Sequence, residues 1–227
     1  SKDLAEELKA LGLKDAHMDE WGYVMATLPS NTSKKVDPIA FIAHVDTSPA
    51  VSGKDVKPMI RKNYQGGDIK LENGGWVIKE SENPDLKNMI GFDIITTDGS
   101  TLLGADNKAG VAEIVDAVNY LLAHPEVKHG DIKICFTPDE EVGRGTEKID
   151  LKKLGAKYAY TIDGSSRGEL ETETFSADAV VIKFFGKNIH PGYAKNVMIN
   201  SIKIASLFID SLPKDGLSPE TTDGREG

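Results

Sequence analysis

Apolar residues change their spacing several times along this chain, and each change predicts a helix or a strand. Residues 39–43 and 132–136 are short, continuously apolar runs, typical of strands buried on both faces of a parallel sheet. Residues 158–162 predict a third buried strand. From about residue 108 to 122, apolar residues recur every three or four positions and predict an amphipathic helix. Helices that alternate with strands predict an α/β fold with a mixed, mainly parallel sheet flanked by helices.

Weaker patterns predict further elements of the same fold. Leucines at helical spacing predict a first helix over residues 4–11, and residues 23–28 predict a strand. Residues 51–98 are rich in Gly, Asn and Lys, which favours hairpins at the rim of the sheet. Residues 101–103 predict a short strand before the long helix, and residues 148–154 predict a polar helix before the last strand.

The pattern changes after Gly168. Alternate apolar positions over residues 180–184 predict a half-exposed antiparallel strand, and residues 201–212 have the spacing of an amphipathic helix. A lone strand and helix cannot bury a core of their own. We therefore predict an α/β domain over residues 1–173 and the beginning of a smaller α+β domain over residues 174–227, and we expect the chain to be a fragment.

The composition argues against several classes of function. The chain has 227 residues and 27 Lys and Arg against 36 Asp and Glu, a net charge of -9, whereas nucleic-acid binding needs a basic face. Its uncharged apolar runs are far shorter than the roughly 20 residues that cross a bilayer, so we expect no membrane partner. A single cysteine, Cys135, cannot form an internal disulfide, and no secretory leader precedes Asp3, so we expect a cytoplasmic protein.

Acidic and imidazole side chains follow the predicted strands at the points where these strands end. The residues concerned are His44 and Asp46, Asp106, Glu140 and Glu141, and Asp163. In open α/β sheets, ligands bind outside the carboxyl ends of the strands, and neighbouring strands lie only about 4.8 Å apart. We therefore expect these side chains to converge in one site.

Converging carboxylates repel one another unless a positive charge lies between them. The sequence places no cluster of Lys or Arg at these strand ends, so a divalent metal is the simplest partner. Histidine nitrogen with carboxylate oxygens suits zinc, and mixed sets also suit cobalt or manganese. Two ions about 3.5–4 Å apart, bridged by one carboxylate, would neutralise this many acids and activate a water. Of the adjacent Glu140 and Glu141, one can bind metal while the other acts as general base.

Each of these residues also has an ordinary structural interpretation. His44 alone fits a core histidine, and Asp106 alone is a good N-cap for the helix that follows it. Glu140 and Glu141 alone fit a solvated turn, and Asp163 before a glycine fits a simple turn. Their shared position at the ends of strands favours a metal or acid–base site.

Six segments of the chain carry distinctive motifs: HVDTSP at 44–49, LGADNKAG at 103–110, FTPDEEVG at 136–143, YTIDG at 160–164, GELE at 168–171 and GKNIHPG at 186–192. In sequence and in order they resemble the tripeptide aminopeptidases of the M20 family of di-zinc metallopeptidases. A single motif of this kind is weak, whereas a series in order over nearly the whole chain is specific. The resemblance implies a zinc-exopeptidase-like α/β fold with a smaller lid domain.

The resemblance also implies a ligand set for two zinc ions. His44 and Asp163 would bind one ion, Glu141 would bind the other, and Asp106 would bridge both. The same ligands would accept cobalt or manganese.

Catalytic roles follow from the same resemblance. Asp46 would orient His44, and Glu140 would be the general base that deprotonates the water between the metals. His190, in the lid domain, would hold the substrate or the developing oxyanion. The implied reaction is metal-hydroxide attack that releases the N-terminal residue of a tripeptide in peptide catabolism. Dipeptidase or N-acyl-amino-acid deacylase activity, as in other members of the family, stays open, as does the homo-oligomeric state.

The chain departs from the family pattern at two points. Asn107 stands where the family commonly has Asp, and a shift of one position would make Asn107 the bridging residue and weaken the metal site. The family's last zinc ligand is a histidine near the carboxyl terminus, but no histidine follows His190. We therefore expect a chain that covers roughly the amino-terminal half of a family member, and an inactive fragment when it is alone.

Two interpretations belong to other functional classes. Residues 164–168 fit the G-x-S-x-G pattern of serine hydrolases, with Ser166 as nucleophile, although the sequence that follows lacks the helix this motif needs. A non-catalytic homologue used for binding is the third alternative, and the absent last ligand favours it for this chain.

Overall fold

The chain divides into two compact units, Ser1–Ser165 and Ser166–Gly227. The computed structural model describes residues 1–164, 167–173, 178–218 and 221. The domain boundary that we predict at residues 173 and 174 lies beside residues outside the described set, and it stays a prediction.

The described part of the first unit contains three α-helices, two 3-10 helices (Pro84–Met89 and Glu140–Val142) and a series of strands. The α-helices are α1 (Lys2–Ala10), α2 (Ala105–Ala123) and α3 (Leu151–Leu154). The strands are β1 (His17–Met18), β2 (Val24–Leu28), β3 (Ile39–His44), β4 (Pro58–Arg61), β5 (Ile69–Lys70), β6 (Val77–Ile78), β7 (Ile94–Thr97), β8 (Ile132–Thr137) and β9 (Tyr158–Thr161).

Five of these strands form one mixed sheet in the order β1-β2-β8-β3-β9. Strand β3 is parallel to both β8 and β9, whereas β2 is antiparallel to β8. The register pairs Ile39 with Ile132 and His44 with Thr137, so β3 and β8 begin and end side by side. The expected α/β class, with a mixed sheet flanked by helices, is confirmed.

Alternate residues of β8 enter two different apolar layers because successive side chains of a strand point to opposite faces. Ile134 and Phe136 are fully buried in the layer that also holds Leu8 of α1 and Ile114 of α2. Cys135, between them, lies in the second layer, where it packs with Leu154 of α3. Helices therefore cover both faces of the central strands, which explains their continuously apolar sequence.

The rim of the unit consists of two small antiparallel pairs, β4 with β7 and β5 with β6. Both lie inside residues 51–98, for which the sequence predicts hairpins. Strands β5 and β6 are consecutive and pair as a hairpin does, whereas β4 and β7 pair across the segment that contains β5 and β6.

Three predicted strands differ in the structure. Strand β9 exists, but all of its residues are exposed rather than buried, because it lies at the edge of the sheet with β3 as its neighbour. Residues 101–103 are irregular, and Leu102 donates only to the carbonyl of Ser52 at 2.9 Å. Residues 180–184 form no strand, because their backbone pairs with no other segment in the part of the chain that the structure describes.

The second unit contains helix α4 (Ser201–Ser211), as the apolar spacing predicts, and a short 3-10 turn at Pro191–Tyr193. Asn200 caps α4, since its side chain accepts hydrogen bonds from the amides of Ile202 and Lys203. Of the helices that the structure describes, none is both long enough and apolar enough to cross a membrane.

Replacing Phe136 by alanine tests the core directly. Phe136 is completely buried, so Phe136→Ala leaves a cavity and should lower the free energy of unfolding by about 3–5 kcal/mol. Phe92 is 54% exposed, and Phe92→Ala should change it by only about 0.5 kcal/mol. Urea unfolding followed by circular dichroism measures both, and equal losses would contradict this assignment of the core.

Candidate metal centre

His44 ends strand β3 and presents one nitrogen of its ring to the carboxyl edge of the sheet. The residue is only 2% exposed, and its Nδ1 lies 2.9 Å from the backbone oxygen of Asp46. Because a carbonyl oxygen can only accept, Nδ1 carries the hydrogen. This bond fixes the ring so that Nε2 faces the neighbouring carboxylates.

Three carboxylates surround Nε2 of His44. Asp106 Oδ1 lies at 2.8 Å, and Glu140 Oε2 and Asp163 Oδ2 both lie at 3.7 Å. These acids arrive from the first turn of α2, from the segment after β8 and from the segment after β9. The site therefore forms where the parallel strands end, as ligand sites in open α/β sheets do.

The positions of His44, Asp106 and Asp163 fit a divalent metal ion. One ligand atom from each lies within 4.8 Å of the other two. Donors around a tetrahedral zinc ion lie about 3.4 Å apart when the bonds are about 2.1 Å long. The observed separations from Nε2, 2.8 Å to Asp106 and 3.7 Å to Asp163, bracket that value. Nitrogen and carboxylate oxygen are also donors that zinc accepts, so the residues present fit such an ion.

The crowding of acids changes the pKa values of two members of this group. Burial raises the pKa of Asp163, the charge of His44 lowers it, and the charges of Asp106 and Glu140 raise it, with a net increase. Burial lowers the pKa of His44, but the bond to Asp106 and the charge of Asp163 outweigh it, so this pKa lies above its usual value. Both shifts show that the site favours positive charge.

Asp46 holds the segment that carries the two glutamates. Its Oδ1 accepts a hydrogen bond from the backbone amide of Glu140 at 3.1 Å, and its Oδ2 accepts one from Glu141 at 3.0 Å. Oδ1 also lies 3.4 Å from Nδ1 of His44. Asp46 thus contacts both the histidine and the glutamate segment. The sequence gives no indication of these two hydrogen bonds, since they join residues about ninety positions apart.

Glu140 and Glu141 project to different places. Glu140 reaches the His44 group, whereas Glu141 lies outside the group of three and lines a cleft of about 460 Å³ that Asp106 also lines. A second cleft, of about 340 Å³, lies between Asp106 and Asp163. Asp106 therefore borders both clefts, and 74% of its side chain is exposed to them and to solvent.

Asn107 lies next to Asp106, but its side chain binds the backbone of Ile162 and Gly110 instead of His44. It is buried, donates to the carbonyl of Ile162 at 2.8 Å and accepts from the amide of Gly110 at 3.1 Å. A Cβ on Gly110 would lie 2.1 Å from the oxygen of Ile162, so only glycine lets α2 approach the end of β9. The structure thus turns Asp106, and not Asn107, toward His44.

The remaining predicted residues lie in the second unit. His190 is exposed, its Nδ1 accepts from the amide of Gly192 at 3.1 Å, and its ring centre lies 5.8 Å from that of Tyr193. Ser166, the alternative nucleophile, lies outside the described residues. Residues 167–173 form a turn and irregular backbone rather than the helix that a nucleophile elbow requires.

The sequence of this chain is similar to those of known peptidases. Residues 172–227 match the family model of the peptidase dimerisation domain. Peptidase T of Geobacillus sp. (strain WCH70) is 55% identical over 228 residues, which cover 100% of this chain and 55% of that protein. Peptidase T of Alkaliphilus oremlandii (strain OhILAs) is 57% identical over 230 residues, which cover 100% of this chain and 56% of that protein.

The chain is similar to peptidase T along its whole length. It spans about half the length of the curated relatives it matches. This agrees with the expectation that the chain resembles one half of a family member. The structure of aminopeptidase PepT from Bacillus cereus ATCC 10987 is similar at a TM-score of 0.66 and 25% identity, over 96% of this chain and 52% of that one. A tripeptidase (SAV1512) from Staphylococcus aureus subsp. aureus Mu50 shares the fold at a TM-score of 0.64 and 22% identity, over 96% of this chain and 51% of that one.

Zinc binding by the chain should weaken as the pH falls. The raised pKa of His44 means that its imidazole keeps a proton to higher pH than a free histidine, and zinc must displace that proton from Nε2. The zinc affinity should fall about tenfold per pH unit below that pKa for the single proton released. Competition with a chromophoric chelator between about pH 8 and pH 5 measures it.

Two variants test whether His44 is responsible for the zinc affinity and for its pH dependence. His44→Ala should lower the zinc affinity by more than about a hundredfold and remove this pH dependence, because it deletes the nitrogen ligand. His124→Ala should leave both unchanged, because His124 pairs with Glu126 on the solvent side. Equal affinities for the two variants would contradict the assigned centre.

Proposed function

We propose that the chain is about half of a metal-dependent aminopeptidase that releases the N-terminal residue of tripeptides. One observation carries this proposal: in a chain 55% identical to peptidase T, a histidine and two aspartates meet at the strand ends within 4.8 Å. Glu140 lies beside them, 3.7 Å from the histidine nitrogen. A metal-ligand group beside a free carboxylate has the composition that hydrolysis of an unactivated amide needs.

We propose two zinc ions as the resident metals, with cobalt or manganese as chemical alternatives. His44 and Asp163 would hold one ion, Glu141 the other, and Asp106 both, which agrees with its position between two clefts. When bound, such ions polarise the substrate carbonyl and lower the pKa of water.

Glu140 would act as the general base. Its carboxylate would take a proton from the attacking water and pass it to the leaving amine, which requires a fixed position beside the metal ligands. The bond from its backbone amide to Asp46 supports that position, because Asp46 is also adjacent to His44. His190 of the second unit would hold the substrate or the developing oxyanion.

We also propose that this reaction takes place in the cytoplasm. Cys135 is the single cysteine of the chain and forms no disulfide within it. A cysteine kept as a thiol agrees with a reducing compartment.

The first test compares this chain with a form completed to the length of its peptidase T relatives, called the full-length form below. We expect the full-length form to bind about two metal ions and to cleave tripeptides, and the present chain to lack this activity. Elemental analysis and release of the N-terminal amino acid measure both quantities. A full-length form that binds no metal would refute the metal centre, and one that prefers dipeptides or N-acyl amino acids would change the substrate alone.

A second test removes the proposed base. Glu140→Gln in the full-length form should keep the bound metal and lower kcat by about 10²- to 10⁴-fold, because the amide cannot accept the proton. Glu126→Gln makes the same chemical change in the exposed turn that follows α2 and should leave kcat unchanged. Steady-state kinetics on one tripeptide compare them, and full activity of the Glu140 variant would eliminate that residue as the base.

A further inference from the structure

We propose that Tyr23 is a positioning residue for Glu140, acting through Gly145. This inference rests on the proposed function, in which Glu140 is the general base. Tyr23 lies directly before strand β2, far along the chain from the metal centre, and has no role in the family resemblance.

The hydroxyl group of Tyr23 binds the segment that follows Glu140 and Glu141. Tyr23 is only 2% exposed, and its hydroxyl donates a hydrogen bond to the carbonyl of Gly145 at 2.9 Å. The same oxygen accepts one from the amide of Lys148 at 3.3 Å. A buried side chain next to the start of β2 thus holds two backbone groups of a segment that is largely exposed.

Position 145 leaves little room for a side chain beside Glu140. A Cβ on Gly145 would be 3.2 Å from Cα of Glu140 and 3.4 Å from its Cβ and its amide nitrogen. A side chain at position 145 would therefore press on the backbone of Glu140, and glycine leaves that backbone where the turn holds it.

Short hydrogen bonds make the segment between these two residues a compact turn. The amide of Gly143 donates to the carbonyl of Glu140 at 2.7 Å, and the amide of Arg144 donates to that of Asp139 at 2.8 Å. A shift of Gly145 is therefore transmitted to Glu140 rather than absorbed between them. Asp46 fixes the amide side of Glu140, and Tyr23 fixes the opposite side of the turn.

Tyr23→Phe in the full-length holoenzyme tests this role, because it removes only the hydroxyl. We expect kcat to fall about tenfold, since a small displacement of a catalytic group has a large effect on rate. KM and the metal content should stay unchanged, because no metal ligand or substrate contact is altered. Steady-state kinetics and elemental analysis separate these quantities.

Tyr64→Phe is the matched control. Tyr64 is 8% exposed, and its hydroxyl donates to the carbonyl of Gly67 in the rim, so the variant loses a similar hydrogen bond away from Glu140. A purely structural role of Tyr23 predicts equal kcat in the two variants, and that result would overturn the proposal.

Gly145→Ala tests the step from Gly145 to Glu140 without removing the Tyr23 hydroxyl. It retains the carbonyl that Tyr23 binds but pushes against Glu140, so it should also lower kcat by about tenfold at unchanged metal content. A fully active Gly145→Ala enzyme would contradict the transmission from Gly145 to Glu140.

Amide hydrogen exchange supplies a measurement that does not depend on activity. Exchange over residues 139–147 should be at least about tenfold faster in Tyr23→Phe than in Tyr64→Phe, because the turn loses its attachment to the sheet. Unchanged exchange would refute the attachment itself. If the wild-type full-length form cleaves no tripeptide while Tyr23→Phe still exchanges faster than Tyr64→Phe, the proposed function is refuted and the attachment stands.

Discussion

The parallel alignment of β3 with β8 and β9 is the constraint on which the candidate site depends. The register places His44 beside Thr137, and the amide of Ile162 continues the ladder by donating to Ile42 at 2.8 Å. Residues 44, 140 and 163 therefore lie together at the carboxyl ends of the parallel strands, although they are far apart in the sequence. A shift of β3 by one residue would turn His44 to the opposite face, because side chains alternate along a strand.

The electrostatic cost of this arrangement explains its chemistry. A buried histidine among carboxylates is favourable only when a positive charge is shared between them, as a proton or as a metal ion. The raised pKa values of His44 and Asp163 record that preference. The same clustering that raises these pKa values thus makes a divalent cation the natural partner of the site.

The two glutamates are held by residues next to strands β3 and β2 and not by their own short turn alone. A three-residue 3-10 turn at Glu140–Val142 has little stability of its own, so its position comes from Asp46 on one side and from Tyr23, through Gly145, on the other. The turn can project Glu140 toward His44 and Glu141 toward a separate cleft because both backbone amides are already satisfied.

The sequence by itself determined the fold class and the acids that meet at the strand ends, because apolar runs, helical spacing and strand-end residues are local patterns. It misjudged the burial of β9 and the strands at 101–103 and 180–184, since burial and pairing depend on neighbours that local patterns do not name. Only the tertiary structure decided that Asp106 rather than Asn107 faces His44, and that Asp46 and Tyr23 hold the glutamate turn. These arrangements depend on hydrogen bonds between residues 55 to 122 positions apart in the sequence. Such residues come within bonding distance only when the sheet has formed.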